Sequence, residues 1–174
     1  MTTKSRFQQF NRYLINLQFA SLPVFKFYKA KIAWLANAGI KAEKSAKING
    51  HTQFYGDGNL EIGEETWVGP GCRFYTNADA PIILGAHCDI APEVSFITGS
   101  HEIGNETRRA GIGTAKEIVV EDSCWIGARV TILGGSHVGK SSIIAAGALV
   151  NEDIPANSLA AGVPARVIKT LPIN

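Results

Sequence analysis

Residues 120–150, VEDSCWIGARVTILGGSHVGKSSIIAAGALV, carry an aliphatic side chain at every sixth position. Four residues after each of these comes a second, mostly small side chain, such as Cys124, Ser136 or Ala148. A period of six matches neither the 3.6-residue turn of an α-helix nor the two-residue alternation of a β-strand. It predicts a chain that turns a corner every six residues, so that three units close a triangular coil of about 18 residues. The aliphatic positions are Val120, Ile126, Ile132, Val138, Ile144 and Val150.

The same period extends towards the N-terminus with three interruptions. Near residues 60–62 the aliphatic positions shift by two residues, and around residues 77–81 four extra residues separate two repeats. The third interruption adds 18 residues more than the period allows before the repeat resumes. The last break, residues 99–117, is polar and rich in glycine, and loops of that length in a compact domain are usually functional. We therefore predict an all-β solenoid of four to five coils over residues 48–154, with loop 99–117 extruded from it and residues 155–174 as a tail.

Residues 1–47 form a basic segment attached to an acidic body. They hold nine lysines and arginines and one acid, Glu43, whereas the rest of the chain holds eight bases and fourteen acids. Apolar residues three or four apart predict an amphipathic helix over residues 6–21 and a second helix over about residues 24–38. These helices either cover the open edges of the solenoid or lie on an anionic membrane surface or a polyanionic substrate.

Composition sets limits on the class of protein. The chain has 174 residues, of which 45% are hydrophobic and 18% charged, so one folded domain is expected rather than a disordered chain. No apolar run approaches the roughly 20 residues that a membrane span requires, and no signal peptide is visible. We expect a cytoplasmic protein, with residues 1–47 as the part that contacts a membrane if any part does. No nucleic-acid partner is expected.

Cysteines and histidines carry different signals. Cys72, Cys88 and Cys124 all fall on the small inward position of the repeat, which favours reduced core packing over a metal or disulfide role. No pair of histidines has the close spacing of a metal motif, so no metal is expected. His101 stands at the base of the extruded loop, and imidazole is the side chain best suited to accept a proton near neutral pH. The alternative is a surface histidine without a role.

Three blocks of sequence resemble the hexapeptide-repeat O-acetyltransferases, notably the galactoside and maltose acetyltransferase group. They are LGAHCDIAPEVSFITGSH (84–101), residues 120–150 and DIPANSLAAGVPARVIK (153–169), with the histidine loop between the first two. The resemblance implies a left-handed parallel β-helix, acetyl-CoA as co-substrate, a saccharide acceptor and a homotrimer with active sites between neighbouring solenoids. Alternatives on the same fold are an N-acetyltransferase, a serine-type acetyltransferase, a non-catalytic scaffold and a zinc hydratase of the γ-carbonic-anhydrase type.

The resemblance also implies roles for individual residues on the acceptor side. His101 matches the general base of the family. Asp79 matches an acidic residue that binds the hydroxyls of the acceptor sugar, although it would serve equally well as a turn cap. Trp125 matches a tryptophan that lines the active site beside the acyl group and the pantetheine arm, and surface packing is its alternative.

On the coenzyme A side, the resemblance implies four further contacts. Ala128 matches a position whose backbone N–H faces the thioester oxygen, and Ala146 matches a small residue that lets pantetheine lie close to the coil. Arg166 matches a basic residue near the phosphates, assisted by Lys169, although it also reads as a solvated tail charge.

Two departures from the family pattern stand out. Asn151-Glu152 replaces a frequent Thr-Lys, so a cation near the phosphates is lost and an acid is gained. This substitution transfers the expected phosphate contact to Arg166 and Lys169. The basic, aromatic segment 1–47 looks more like the leader of acetyltransferases that modify surface polysaccharides.

Overall fold

The computed structural model describes residues 3–173, and its strands form the three sides of a triangular solenoid. Residues 1, 2 and 174, which end the predicted N-terminal segment and tail, lie outside that range. Side A consists of β1 (Ile40–Ala42), β4 (Leu60–Ile62), β7 (Ile82–Leu84), β12 (Ile118–Val120) and β15 (His137–Val138). Side B consists of β2 (Lys47–Ile48), β5 (Trp67–Val68), β8 (Asp89–Ile90), β13 (Trp125–Ile126), β16 (Ile143–Ile144), β18 (Ser158–Ala161) and the antiparallel β19 (Arg166–Thr170). Side C consists of β3 (Gln53–Gly56), β6 (Arg73–Thr76), β9 (Ser95–Ile97), β14 (Thr131–Leu133) and β17 (Leu149–Val150).

The interior confirms the inward positions that the six-residue period predicts. The six aliphatic residues of the repeat are fully buried, and so are the three cysteines. On side C the rings of Phe54, Phe74 and Phe96 stack in parallel at centroid distances of 5.6 and 4.9 Å. Each coil therefore buries its inner face only because the next coil covers it, as in other solenoids.

Coil length varies, but only at one corner. The third coil is by far the longest and the fourth is the shortest, as the paired positions on side A show: Ile40–Leu60, Leu60–Ile82, Ile82–Ile118 and Val119–His137. In the first four coils the strands of sides A and B begin seven residues apart, and those of sides B and C begin six apart. The extra residues of the first three coils therefore all lie between side C and side A, which we call the C–A corner.

The longest insertion forms a β-hairpin. Its strands are β10 (Gly99–Ile103) and β11 (Ala110–Ala115), which pair in antiparallel register with an irregularity between His101 and Ile103. The segment predicted as an extruded loop thus leaves the third coil as a two-stranded arm.

Two helices precede the solenoid, α1 (Thr3–Ser21) and α2 (Tyr28–Asn37). The side chain of Asn16 bonds both backbone groups of Phe54, on the edge strand of side C. Phe19 meets the ring of Phe54 edge-on at 5.5 Å. Because the first coil leaves its outer backbone groups without a neighbouring coil, a helix face with polar side chains is needed to cover them.

The direction in which α1 faces differs from the simplest amphipathic interpretation. The stripe formed by Phe7, Phe10, Leu14 and Leu17 points away from the solenoid, and the opposite face, with Arg12, lies against it. Helix packing usually buries the apolar face. Here the buried face is mixed: Ile15 and Phe19 pack on the core beside Arg12 and Asn16, which bond the unpaired backbone of the edge coil.

Two boundaries differ from the expected ones. The first coil begins at Ile40 rather than near residue 48, because β1 pairs with β4. The expected tail contains β18, which stacks in parallel on β16 and adds a further rung to side B before β19 folds back on it. In the described range, neither helix is long and apolar enough to cross a bilayer.

Candidate active site

His101 and Asp79, predicted from separate stretches of sequence, line the same cavity. The cavity measures about 620 Å³ and opens at the C–A corner, where the inserted residues of three consecutive coils lie above one another. The first coil contributes Asp57, the second Asn77 and Asp79, and the third the hairpin residue His101. The cavity is thus built from the insertions that lengthen these three coils.

Hydrogen bonds from the N-terminal helix fix the lower part of this cavity. Arg12 is almost fully buried and donates to the Gly58 carbonyl at 2.7 Å and to the Thr76 hydroxyl at 2.6 Å. The Ser5 hydroxyl bonds the Asp57 carboxylate. Burial lowers the pKa of Arg12 to about 10, an effect that the negative charge of Asp57 opposes, so the guanidinium remains charged at neutral pH.

The upper part of the cavity is held by the second and third coils. The Thr98 hydroxyl, just before the hairpin, lies 2.9 Å from the side-chain oxygen of Asn77. Within residues 3–173, no side chain hydrogen-bonds to the imidazole of His101 or to the carboxylate of Asp79. Both groups are exposed to solvent at the cavity wall.

The residues expected to contact coenzyme A lie elsewhere on the prism. Trp125 points outward from side B, next to Asp89 and Ile143 on the neighbouring strands, with 55% of its surface exposed. Ala128 and Ala146 follow the side B strands of consecutive coils, at the corner between sides B and C. Side C therefore separates this group from His101 and Asp79 within one chain.

Backbone geometry at the B–C corner suits a close approach. The Ala128 carbonyl accepts the Gly147 N–H at 2.8 Å, whereas the Ala128 N–H donates to no acceptor within the described residues. A Cβ at Gly127 would lie 2.5 Å from the Ala146 nitrogen, so only glycine fits between these two coils. The corner consequently presents a free N–H donor beside small side chains.

Arg166 is not a free cation. Its guanidinium lies 3.3 Å from the Glu152 carboxylate and donates to the Ala165 carbonyl at 2.7 Å. Glu152, which replaces a lysine of the family pattern, therefore pairs with Arg166. Arg166 is the residue that was expected to take over the phosphate contact of that lysine. Lys169 pairs with Leu159 across β18 and β19 and is exposed.

The cysteines belong neither to the cavity of His101 and Asp79 nor to the residues expected to contact coenzyme A. Burial raises the pKa of Cys72 to about 12, so its thiol stays protonated at neutral pH and is no nucleophile. Within residues 3–173, no three histidine, cysteine or acidic side chains come together in a way that would hold a metal ion.

Sequence reasoning missed two residues of the C–A corner and one residue of α1 that supports it. Asp57 and Asn77 line the cavity, and Arg12 holds the turn that carries Asp57. The two-residue slip and the four-residue excess in the period marked the positions of the first two, because an insertion in a solenoid is expelled from the coil. No sequence signal connects Arg12 to that turn, 46 residues further along the chain.

Known proteins with a similar sequence or structure have the same solenoid architecture. Residues 117–152 match the family model for the bacterial transferase hexapeptide, described as six repeats. These residues thus carry the six-residue repeat of that family. The parallel solenoid of this chain is a left-handed β-helix of the kind found in hexapeptide-repeat acetyltransferases, as the resemblance implies.

Relatives of this hexapeptide-repeat protein are acetyltransferases. The galactoside O-acetyltransferase of Escherichia coli K12 is 34% identical over 128 residues, which cover 63% of each chain. The hexapeptide-repeat acetyltransferase of Vibrio cholerae O1 biovar eltor, solved with acetyl-CoA, is 26% identical, with a TM-score of 0.83 over 99% of this chain and 91% of that one. The polySia-specific acetyltransferase NeuO is 30% identical, with a TM-score of 0.67 over 75% of this chain and 60% of that one. This chain spans about three fifths of the length of the curated relatives that it matches.

Proposed function

We propose that this protein is an acetyl-CoA-dependent acetyltransferase that acts on a saccharide hydroxyl. The observation that carries the proposal is the shared cavity of His101 and Asp79, two groups without a partner in the described chain. A base beside a carboxylate suits an alcohol, since the carboxylate accepts hydrogen bonds from neighbouring hydroxyls while the imidazole takes the proton. The E. coli relative is named for the same reaction on galactosides.

In this reaction His101 removes the proton of the acceptor hydroxyl while the hydroxyl oxygen attacks the acetyl carbonyl carbon. The C–S bond then breaks, and the imidazolium of His101 returns the proton to the leaving thiolate, so no covalent enzyme intermediate is required. The free N–H of Ala128 is suited to stabilise the negative charge that develops on the carbonyl oxygen.

Acetyl-CoA fits the second group of residues. Trp125 offers an exposed aromatic face, and Ala128 and Ala146 leave room for a narrow pantetheine chain. The complex of the Vibrio cholerae acetyltransferase supports acetyl-CoA as the donor. Arg166 would reach a phosphate only after it leaves Glu152.

We propose that the active unit is a homotrimer. One chain places the base and the donor surface on different edges of the prism, and a neighbouring solenoid would bring them together. The hairpin extends away from its own coil and is exposed along most of its length, as expected of an arm that reaches another subunit. Light scattering that gave a monomer under assay conditions would contradict this arrangement.

The acceptor proposed for this enzyme is a saccharide destined for a surface polysaccharide, modified in the cytoplasm. The similarity to a polySia-specific acetyltransferase supports a glycan acceptor. An acceptor panel of simple sugars, surface glycans and amino sugars, assayed by thiol release from acetyl-CoA, tests the proposal. Transfer to amines alone would favour an N-acetyltransferase instead.

Replacement of His101 by Ala tests the base. Loss of general base catalysis lowers kcat by about 10²- to 10⁴-fold. His87→Ala is the matched control, because His87 is also exposed but lies at a regular corner beside Glu65, away from the cavity. Equal turnover in the two variants would remove His101 from the mechanism.

Replacement of Asp79 by Asn separates acceptor binding from donor binding. It should raise KM for the saccharide by about 10-fold or more, since a charged acceptor of hydrogen bonds is lost, and leave KM for acetyl-CoA unchanged. An equal rise in both constants would place Asp79 outside the acceptor site.

A further inference from the structure

We propose that the outward face of α1, with the loop that follows it, docks on an anionic lipid surface. The face is the stripe of Phe7, Phe10, Leu14 and Leu17, and the loop contains Phe25 and Phe27. These large apolar side chains are between 40% and 65% exposed. An apolar helix face left in water without a cover marks an interaction site.

The charges around this face identify the occupant. Arg6 lies on the outward side of α1. Lys26 lies between the two phenylalanines of the loop, and Lys29 follows them in the first turn of α2. None of the three forms an ion pair within the described residues. A helix or loop that presents phenylalanine and leucine beside unpaired cations suits the boundary between lipid headgroups and acyl chains.

The rest of the chain has the opposite sign, which sets the orientation. Residues 48–174 hold eight basic and fourteen acidic residues. An anionic surface therefore attracts the helical end and repels the solenoid body. A nucleic acid is a less suitable occupant of this face, because its exposed side chains are mostly apolar and offer few groups that could hydrogen-bond to bases.

The backbone of the loop supports a functional role for Phe27. Its φ of 61° and ψ of 32° lie in the left-handed region, which bulky L-residues rarely adopt. The other eight non-glycine residues with positive φ in the described range are polar. Phe27 is 56% exposed, so burial in this chain does not explain its conformation.

The position of α1 relates the lipid face to the candidate active site. One side of the helix carries the apolar stripe, and the other side bonds the acceptor cavity through Ser5 and Arg12. A helix is about 10 Å across, so the cavity would lie about one helix diameter from the lipid surface. If the proposed acetyl transfer holds, the acceptor class is a saccharide attached to a lipid in that surface.

Vesicle sedimentation of the full chain tests the docking directly. Wild-type protein should bind phosphatidylcholine vesicles that contain about 30% phosphatidylglycerol and should bind pure phosphatidylcholine vesicles weakly, with salt reducing the difference. Leu17→Asp should lower the partition coefficient by about 10-fold or more, and Lys26→Gln by about 5-fold. Ile173→Asp is the control, because Ile173 is also exposed apolar surface but lies at the other end of the chain.

Phe27→Gly separates lipid binding from folding. Glycine relieves the left-handed backbone, so the melting temperature should rise or stay equal while vesicle binding falls. Equal binding to both vesicle types, or unchanged binding of Leu17→Asp, would overturn the proposal. A drop in oligomer mass of Leu17→Asp without a change in vesicle binding would assign the face to a second copy of the chain instead.

The acceptor class has its own readout. Wild-type enzyme should acetylate a galactoside with a long alkyl aglycone more efficiently in anionic vesicles than its soluble methyl counterpart, and Leu17→Asp should abolish that preference. Soluble transfer by Leu17→Asp should equal that of wild type. No transfer to any saccharide of the acceptor panel, these two galactosides included, would contradict the proposed enzyme and leave the vesicle result to decide the docking.

Discussion

The A–B and B–C corners keep their length in every full coil, whereas the C–A corner ranges from a short turn to a complete hairpin. Constant corners are stacked by direct backbone bonds, such as the one from Gly147 to Ala128, and carry buried residues on both sides. At the C–A corner the extra residues leave the prism without displacing any inward side chain. This solenoid therefore confines its variation in coil length, and with it the cavity of His101 and Asp79, to one edge.

An inserted glycine should separate the two kinds of corner most strongly. Between Val130 and Thr131 it would disturb the alternation that buries both Val130 and Ile132, at a cost of about 4 kcal/mol or more in unfolding free energy. The same insertion between Ala78 and Asp79 should change that free energy by about 0.5 kcal/mol or less. Urea unfolding measures both, and similar losses at the two sites would refute the distinction.

The phenylalanine stack on side C keeps the three long corners aligned. Phe74→Ala should lower the unfolding free energy by about 3–5 kcal/mol, because Phe74 lies between Phe54 and Phe96. The neighbouring Tyr75 points outward from the same strand and is partly exposed, so Tyr75→Ala should lose about 1 kcal/mol. Denaturant titration of both variants is the measurement, and a larger loss for Tyr75→Ala would contradict the inward assignment.

Removal of residues 99–116 should leave a regular coil and an inactive protein. Thr98 and Glu117 would then be joined, and the Thr98 carbonyl already accepts the Lys116 N–H at 3.0 Å. Closing a shorter loop costs less entropy, so stability should change by about 1 kcal/mol. Circular dichroism and urea unfolding report the fold, and thiol release reports transfer. Loss of the β-sheet signal would show that the hairpin stabilises the coil.

The smallest effect on stability is expected at the A–B corner, whose length is constant. Glu121 accepts the Lys140 N–H at 2.7 Å and lies 2.8 Å from the His137 ring, and these contacts lower its pKa, the first most. A lowered pKa stabilises the fold above the unfolded value near 4.3 and loses that contribution as the pH falls through the folded value. Glu121→Gln should therefore lower the melting temperature slightly at pH 7 and not at pH 3. An equal decrease at both pH values would exclude the charge as the cause.

The candidate site was only partly predictable from the sequence. The period located the corner insertions, and the loop containing His101 followed from the break in phase. Asp79 came from the family resemblance, and its meeting with His101 depends on two coils of unequal length stacking in register. The pairing of Arg166 with Glu152 was not predicted, because side-chain contacts across a returning strand leave no periodic signal.

The sequence by itself determined the solenoid, since one inward aliphatic residue in every six leaves a chain no other way to bury them all. It also determined which segments leave the coil. Only the tertiary structure decided that α1 presents the side with Arg12 and Asn16 to the solenoid, because the unpaired backbone that these two residues satisfy exists only after the first coil has formed. That choice leaves the apolar stripe of α1 facing outward, and it brings the helix against the cavity of His101 and Asp79.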